Sequence, residues 1–215
     1  MRIVIAGGHG QIARQFSRLV TETGHQPVGM VRSPEHITDL EQDGAEPAMI
    51  DLETADLAEM TDIVRGADAV LFAAGGGPDG NAQRKETVDK GAAIMLADAA
   101  EAAGVRRYVM VSAMGTHDVE HAAEAMRPYL QAKKDADDAL IASGLDWTIV
   151  RPGRLTDDPG TGTVDAARAL SRYGEITRDD TALVLLETLV RPSLARVAFD
   201  VLGGPTPVAE ALDAL

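Results

Sequence analysis

The sequence has 215 residues, of which 45% are apolar, carries a formal net charge of −14 and contains no cysteine. This length can form one α/β domain with a large core, while the missing thiols exclude disulfides and cysteine chemistry. The acidic balance disfavours nucleic acid and anionic membranes as partners. No window is apolar enough to span a bilayer and the first apolar run is too short for a signal peptide, so we expect a soluble, cytoplasmic protein.

The first strand and the glycine turn after it form the strongest pattern. Arg2 to Ala6 is an apolar run typical of a central parallel strand. A G-x-x-G-x-x-A pattern follows, with Gly7 and Gly10, and apolar residues then recur at helical spacing. The backbone N–H groups of Gln11 and Ile12 would open this helix, whose positive end suits a diphosphate. Strand, turn and helix in this order predict a dinucleotide site, although a bare structural turn is the alternative.

The end of the second strand bears on the choice of cofactor. Gln26 to Val31 is the predicted strand, and Arg32 follows it with Ser33 beside it. An NAD enzyme would place an acidic residue here against the ribose 2′-hydroxyl. A guanidinium instead suits a 2′-phosphate, so the sequence favours NADP over NAD. An exposed arginine without a role is the alternative.

The third strand is weaker. Ala48 to Ile50 is predicted as extended, and Asp51 and Leu52 end it. The Asp51 carboxylate could accept a hydrogen bond from the adenine amino group, or it could cap a turn. A helix is predicted next over Thr54 to Arg65, and Gly66 closes it.

The fourth strand, Ala67 to Ala74, runs into a loop, Gly75 to Pro78, that we expect to be mobile. Glycine lets backbone approach a ligand closely. Three residues would lie at the carboxyl edge of the sheet, where open α/β sheets bind ligands: Ala73, Ala74 and Gly75. An alanine-rich helix is predicted from Lys85 to Ala103.

The fifth strand, Arg107 to Ser112, places Ser112 at the same edge. In the next helix Tyr129 and Lys133 are four residues apart and share one face. An amphipathic face with a snorkelling lysine would give the same spacing. The sixth strand is predicted over Leu145 to Val150, and Arg-Pro-Gly-Arg follows it.

The strict alternation of strands and helices weakens beyond Gly153. Strands are predicted at Thr161 to Ala167, Glu175 to Thr177 and Val197 to Leu202, and helices at Thr181 to Val190, capped by Asp179 and Asp180, and at Pro207 to Leu215. We expect residues 154–215 to form a small cap over the carboxyl edge. The predicted fold is a three-layer αβα arrangement around a Rossmann-like, doubly wound parallel sheet, in a single domain spanning residues 1–215.

Other polar residues are given structural roles. His9, in the glycine turn, is expected to be a surface imidazole. His117 and His121 match no strong ligand pattern, so no metal site is predicted. Four residues around Lys133 are expected to form a charged, solvated helix face: Lys134, Asp135, Asp137 and Asp138.

Six segments in this order resemble the short-chain dehydrogenase/reductase superfamily. The likeness is greatest to its atypical, NmrA-like or NAD(P)H-binding branch, which includes flavin and biliverdin-IXβ reductases. The segments are Ala6 to Ala13, Val31-Arg32, Asp51-Leu52, Val109 to Gly115, Tyr129-x-x-x-Lys133 and Ser143 to Gly153.

The resemblance implies an NAD(P)H-dependent oxidoreductase that transfers hydride to a small carbonyl, quinone or flavin-like acceptor. Tyr129 would be the general acid, with Lys133 lowering its pKa and binding the nicotinamide ribose. Ser112 would donate a hydrogen bond to the substrate oxygen. Pro152 and Gly153 would contact the nicotinamide.

Two other functions remain open on the sequence alone. Many atypical members lack a working tyrosine–lysine pair, so a non-catalytic NADP-binding regulator or redox sensor is the first alternative. A sugar-nucleotide epimerase or dehydratase is the second, although the region after Gly153 is short for the usual substrate domain. The substrate, beyond being a small molecule, and the oligomeric state are open.

Overall fold

The computed structural model describes residues 1–77 and 82–215, which alternate between strands and helices. The strands are β1 Arg2–Ala6, β2 Gln26–Val31, β3 Glu46–Met49, β4 Ala69–Phe72, β5 Arg107–Val111, β6 Asp146–Pro152, β7 Arg154–Thr156, β8 Thr163–Ala167, β9 Glu175–Thr177, β10 Val197–Gly203 and β11 Thr206–Pro207. The α-helices are α1 Gln11–Glu22, α2 Ile37–Gln42, α3 Leu57–Val64, α4 Ala82–Arg84, α5 Ala93–Ala103, α6 Arg127–Ala142, α7 Arg178–Leu189 and α8 Val208–Asp213, and a π-helix spans Lys85–Ala92.

The main sheet has nine strands in the order β11-β8-β10-β6-β5-β4-β1-β2-β3. The seven strands from β10 to β3 are parallel, and β8 joins them antiparallel to β10. The order β3-β2-β1-β4-β5-β6 is that of a doubly wound Rossmann sheet, so the predicted fold class is confirmed. Because the strand order reverses between β1 and β4, a crevice opens there at the carboxyl edge.

Side chains of β1 alternate between two buried cores. Ile3 and Ile5 belong to the cluster that contains apolar residues of α1 and α7. Val4 and Ala6 belong to the cluster that contains apolar residues of α3 and α5. Successive strand residues point to opposite faces, so a strand covered by helices on both faces needs the continuous apolar run seen in the sequence.

The C-terminal part corrects the prediction of a cap. β8, β10 and β11 extend the main sheet, and α7 packs against α1. Val197, Phe199 and Val201 of β10 are buried, and pairing with β6 satisfies the backbone of this apolar strand. β7 directly follows the carboxyl end of β6 and pairs with β9. This two-stranded sheet is the part of residues 154–215 that stays at the predicted edge.

The start of α7 differs from the predicted aspartate cap. The N-cap is Thr177, whose hydroxyl accepts a hydrogen bond from the Asp180 N–H at 2.9 Å. Asp180 is buried, and its carboxylate instead accepts the backbone N–H groups of Thr161 and Gly162. This aspartate therefore fixes the loop before β8.

Two further helices differ from the prediction, one in its start and one in its regularity. α3 starts at Leu57 rather than Thr54, because Asp56 and Glu59 form a reciprocal capping box. The alanine-rich helix is interrupted by the π-helix, in which Val88, Asp89 and Ala92 are buried. Such π-turns are frequent at functional sites. Among the described residues, no helix combines the length and the apolar character needed to cross a bilayer.

Candidate active site

The glycine turn after β1 leaves the start of α1 open. Gly7 has φ +80°, and a Cβ there would lie 2.7 Å from the Cα of Ala74. The Gly10 N–H donates to the Gly7 carbonyl at 2.8 Å. Gly10 caps α1 without a side chain, and the first turn of α1 contains no acidic residue. The N–H groups of Gln11 and Ile12, in the uncapped first turn of α1, can therefore meet an anionic ligand, and the turn fits a diphosphate.

A cleft of about 280 Å³ lies beside this turn, at the crevice between β1 and β4. Eight of the predicted cofactor-binding residues line it: Gly7, Gly10, Arg32, Asp51, Leu52, Ala73, Ala74 and Gly75. The structure adds lining residues that the sequence interpretation did not place there, among them His9, His36, Glu53 and Arg84. The cleft thus joins the carboxyl ends of β1 to β4.

The other predicted cofactor-binding residues lie outside the lining of this cleft: Gln11, Ile12, Ser33, Ser112, Lys133, Pro152 and Gly153. Pro152 ends β6, and its carbonyl accepts the N–H of Met114 at 3.1 Å. The Gly153 N–H donates to the Val201 carbonyl at 3.1 Å. These two residues tie the end of β6 to the segment after Ser112 and to β10.

The structure brings a carboxylate to Arg32, where sequence reasoning saw none. Glu53 Oε1 lies 3.1 Å from Arg32 Nη1 and 3.3 Å from Arg84 Nε. Asp51 Oδ1 accepts the Glu53 N–H at 3.0 Å, so Asp51 caps a turn while also lining the cleft. The sequence signal was available, since Glu53 lies two residues beyond Asp51.

His9, expected to be a surface imidazole, has a side chain that is 31% exposed. Its ring stacks on that of His36, with centroids 3.5 Å apart and an angle of 3° between the planes. His9 Nε2 lies 2.8 Å from Asp39 Oδ2. The side chain is therefore held against the cleft wall by packing and by one polar contact.

Lys133 and Asp89 form a buried ion pair at the same edge of the sheet. Their charged atoms are 3.2 Å apart, and the side chains are 4% and 0% exposed. Lys133 Nζ also donates to the Val111 carbonyl at 3.1 Å and lies over the ring of Phe72. Asp89 Oδ2 accepts the Gly76 N–H at 2.9 Å.

Gly76, in the loop predicted to be mobile, thus has a hydrogen bond to Asp89, while Pro78 lies outside the described residues. Sequence reasoning missed Asp89. The signal was that Asp89 lies directly after Val88 and three residues before Ala92, two apolar positions of the predicted helix.

Tyr129 lies in the field of this ion pair. Burial raises the pKa of the Tyr129 phenol, and although Lys133 acts in the opposite direction, burial dominates. Lys133 therefore acts on the Tyr129 pKa in the direction that the resemblance implied, but burial outweighs it. Lys85 Nζ lies 5.3 Å from the centre of the Tyr129 ring and donates to the Gly77 carbonyl at 2.7 Å.

Asp137 is buried, which corrects its assignment to a solvated helix face. Its Oδ2 accepts from Arg151 Nε at 3.0 Å and from Thr116 Oγ1 at 3.3 Å. Burial raises the pKa of Asp137, against the opposing effect of Arg151. The Ser112 hydroxyl also favours the ionised carboxylate, although no described atom meets Ser112 Oγ at hydrogen-bond geometry.

We expect Gly7→Ala to weaken nucleotide binding by more than about tenfold, a change of about 1.4 kcal/mol. The added Cβ would push against the Ala74 backbone and displace the turn. Gly24→Ala is the matched control, because Gly24 has φ +77° but a Cβ there meets nothing within 4 Å. Both variants bear a backbone strain of about 1–2 kcal/mol. Calorimetric titration should separate them, and equal affinities would contradict the assignment of the turn.

Comparison with known proteins agrees with this geometry. A family described as NAD(P)H-binding matches residues 7–192. The chain is 40% identical over 216 residues to a Bacillus subtilis (strain 168) protein named "uncharacterized sugar epimerase YhfK", with 100% of each chain covered.

Two solved structures share the whole fold. A putative NAD-dependent epimerase/dehydratase from Bacillus halodurans superposes with a TM-score of 0.95 at 37% identity, covering 100% of both chains. The oxidoreductase ylbE from Lactococcus lactis superposes with a TM-score of 0.87 at 27% identity, covering 100% of this chain and 96% of the other.

Proposed function

The chain belongs to the NAD(P)H-binding family, and from that premise we propose that it is an oxidoreductase of the atypical short-chain dehydrogenase/reductase type. It would transfer hydride from NADPH to a small carbonyl, quinone or flavin-like acceptor. Family membership confirms the resemblance found in the six sequence segments at the level of NAD(P)H binding. The finer activity rests on Ser112, which follows β5, and on Tyr129 and Lys133 of α6.

The observation that carries the proposal is the buried polar group around Lys133. The Lys133 ammonium acts on the pKa of the Tyr129 phenol. The buried Ser112 hydroxyl favours the ionised Asp137 carboxylate, but it makes no hydrogen bond of good geometry to a described residue. A buried hydroxyl in this state would gain a full hydrogen bond from an acceptor oxygen. We assign Ser112 the hydrogen bond to the acceptor oxygen.

Tyr129 would donate the proton in the reductive direction. A raised pKa keeps the phenol protonated at neutral pH, which is the form that a general acid needs. Lys133 has three N–H groups, and the Val111 carbonyl and Asp89 occupy two directions. The third would be directed to the nicotinamide ribose.

The cofactor would lie along the carboxyl edge of the sheet. The first turn of α1 would hold the diphosphate, and the cleft between β1 and β4 would hold the adenosine. When bound, the reduced nicotinamide supplies the hydride. Arg32, at 51% side-chain exposure, would bind a 2′-phosphate in exchange for Glu53.

The preference for NADPH over NADH can be tested by substituting Arg32 and Glu53. We expect the wild type to bind NADPH more tightly than NADH, and Arg32→Ala to lose that preference. Glu53→Gln should increase the preference by about tenfold, because the guanidinium no longer has a competing carboxylate partner. Calorimetric titrations of the three proteins with both nucleotides decide this, and equal wild-type affinities would remove the reason for naming NADP.

The activity itself is tested by mixing the wild-type protein with NADPH and a panel of carbonyls, quinones and flavins. Loss of absorbance of the reduced nicotinamide with any acceptor, together with one equivalent of reduced product, would support the proposal. Saturable NADPH binding without turnover on the whole panel would contradict it.

A non-catalytic NADP-binding regulator is the second candidate. It is favoured by the contacts of Lys133 with Asp89 and with the Val111 carbonyl, because they occupy two of the three N–H directions of the lysine that would bind the nicotinamide ribose. The epimerase or dehydratase alternative takes its support from the names of the relatives. β8, β10 and β11 take part in the main sheet, which leaves few residues for a separate substrate domain.

A further inference from the structure

Arg178, the first residue of α7, lies beside the glycine turn although the two are far apart in the chain. α7 follows β9, at the carboxyl edge of the sheet, and ends near the start of β5, where Arg107 Nε donates to the Leu189 carbonyl. α1 also begins at the carboxyl edge, and the two helices pack side by side. Ala13 of α1 and Leu185 of α7 belong to one core cluster. The N-termini of α1 and α7 are therefore neighbours.

Asp157 joins these two helix ends. Its Oδ1 accepts a hydrogen bond from Arg178 Nη1 at 2.7 Å and another from Gln11 Nε2 at 3.4 Å. The Arg178 side chain is 22% exposed, whereas that of Asp157 is 71% exposed. The partly buried guanidinium of Arg178 and the solvated carboxylate of Asp157 thus lie next to Gln11, the first residue of α1.

The position of this ion pair matters for an anionic ligand. The first turn of α1 presents N–H groups without a side-chain cap, but a carboxylate next to it opposes a diphosphate by like-charge repulsion. Arg178 offsets that charge and can present a flat fork of N–H donors, which matches two phosphate oxygens. An exposed ion pair contributes little to stability by itself, so the fold does not depend on Arg178 remaining bound to Asp157.

We propose that Arg178 is a diphosphate-binding residue of the cofactor site, held beside α1 by Asp157 until a dinucleotide phosphate replaces that carboxylate as its partner. The inference rests on the proposed function, because it requires a dinucleotide at the start of α1. It adds a cation from the C-terminal part of the chain to a site that the sequence located in the first residues.

The test is calorimetric titration of the wild type and variants with NADPH and with NADH. Arg178→Ala should weaken binding of both nucleotides by the same factor, about tenfold or more, because both carry the diphosphate. The nucleotide affinity of Arg178→Lys should lie between those of the wild type and Arg178→Ala, since lysine keeps the positive charge but lacks the fork of N–H donors. Asp157→Asn should bind both nucleotides more tightly, because the repulsive carboxylate is gone.

Arg65→Ala is the matched control. Arg65 also pairs with an aspartate, Asp62, but it is exposed and follows α3, whose apolar residues belong to the core cluster on the other face of the sheet from α1. The Arg65→Ala variant should bind both nucleotides with wild-type affinity. As a check on folding, Arg178→Ala should unfold at the same temperature as the wild type.

Three outcomes would overturn the inference. Wild-type affinity in Arg178→Ala would overturn it and leave the proposed function standing. A loss confined to NADPH would instead place Arg178 at the 2′-phosphate. If the wild type bound neither nucleotide, the proposed function would fail together with the inference.

Discussion

We expect Tyr129→Phe to lower turnover by about 10²–10⁴-fold, the usual contribution of a positioned proton donor. The variant keeps the ring, so packing beneath Lys85 is retained, and nucleotide affinity should stay at the wild-type value. Steady-state turnover with an accepted substrate measures the effect. A loss of less than about tenfold would show that another group supplies the proton.

Tyr173→Phe is the matched control for loss of a phenol hydroxyl, because Tyr173 is 75% exposed. Its turnover should equal that of the wild type. An equal loss in both variants would mean that the Tyr129 hydroxyl has no particular role.

The pH dependence of reduction follows from the same group. Burial raises the pKa of Tyr129 above its ordinary value of 10.0, so the phenol stays protonated through neutral and mildly alkaline pH. The rate should therefore show no loss from Tyr129 deprotonation through neutral and mildly alkaline pH. A wild-type profile that falls near neutral pH, with the fall absent in Tyr129→Phe, would indicate a lowered pKa and contradict the structure.

Asp89→Ala should destabilise the fold by about 3–5 kcal/mol, the usual cost of removing one partner of a buried ion pair. The change leaves the Lys133 ammonium at 4% exposure without its carboxylate. It also leaves the Gly76 N–H without its acceptor. Chemical denaturation of the variant and the wild type measures the difference in the free energy of unfolding.

A double variant separates charge from packing. Asp89→Asn combined with Lys133→Met removes both charges at similar volume, and we expect it to be more stable than either single variant. Asp138→Ala is the control, since Asp138 pairs with Lys134 on the exposed side of α6 and should cost no more than about 0.5 kcal/mol. A double variant with the summed loss of the two singles would show that the pair is not coupled.

Local chemistry explains why the sheet was predictable. The bounds of β1, β2 and β9 agree with the prediction residue for residue, because strand ends are marked by glycine, charge or proline within a few residues. The starts of α3 and α7 were misplaced, although their caps at Asp56 and Thr177 are local too. Several residues near the start of each of these helices could serve as the N-cap. Which of them does so depends on how the helix packs in the folded chain.

The partners of buried charges could not be predicted in this way. Asp89 and Lys133 are 44 positions apart by their residue numbers, and Asp137 meets Arg151 across a helix and a strand. Asp89 and Asp137 look like ordinary charged helix residues in the sequence. Their burial depends on the path of the π-helix and on the placement of α6, which are properties of the packed chain.

The sequence by itself determined the αβα fold and the glycine turn at the start of α1, because alternating apolar periodicity and glycine spacing act over a few neighbouring residues. Only the tertiary structure decided that Glu53 reaches Arg32, that Asp89 holds Lys133, and that Arg178 stands beside Gln11 through Asp157. The physical reason is that electrostatic interactions depend on distance in space and on burial, and sheet order sets both for residues remote in the chain.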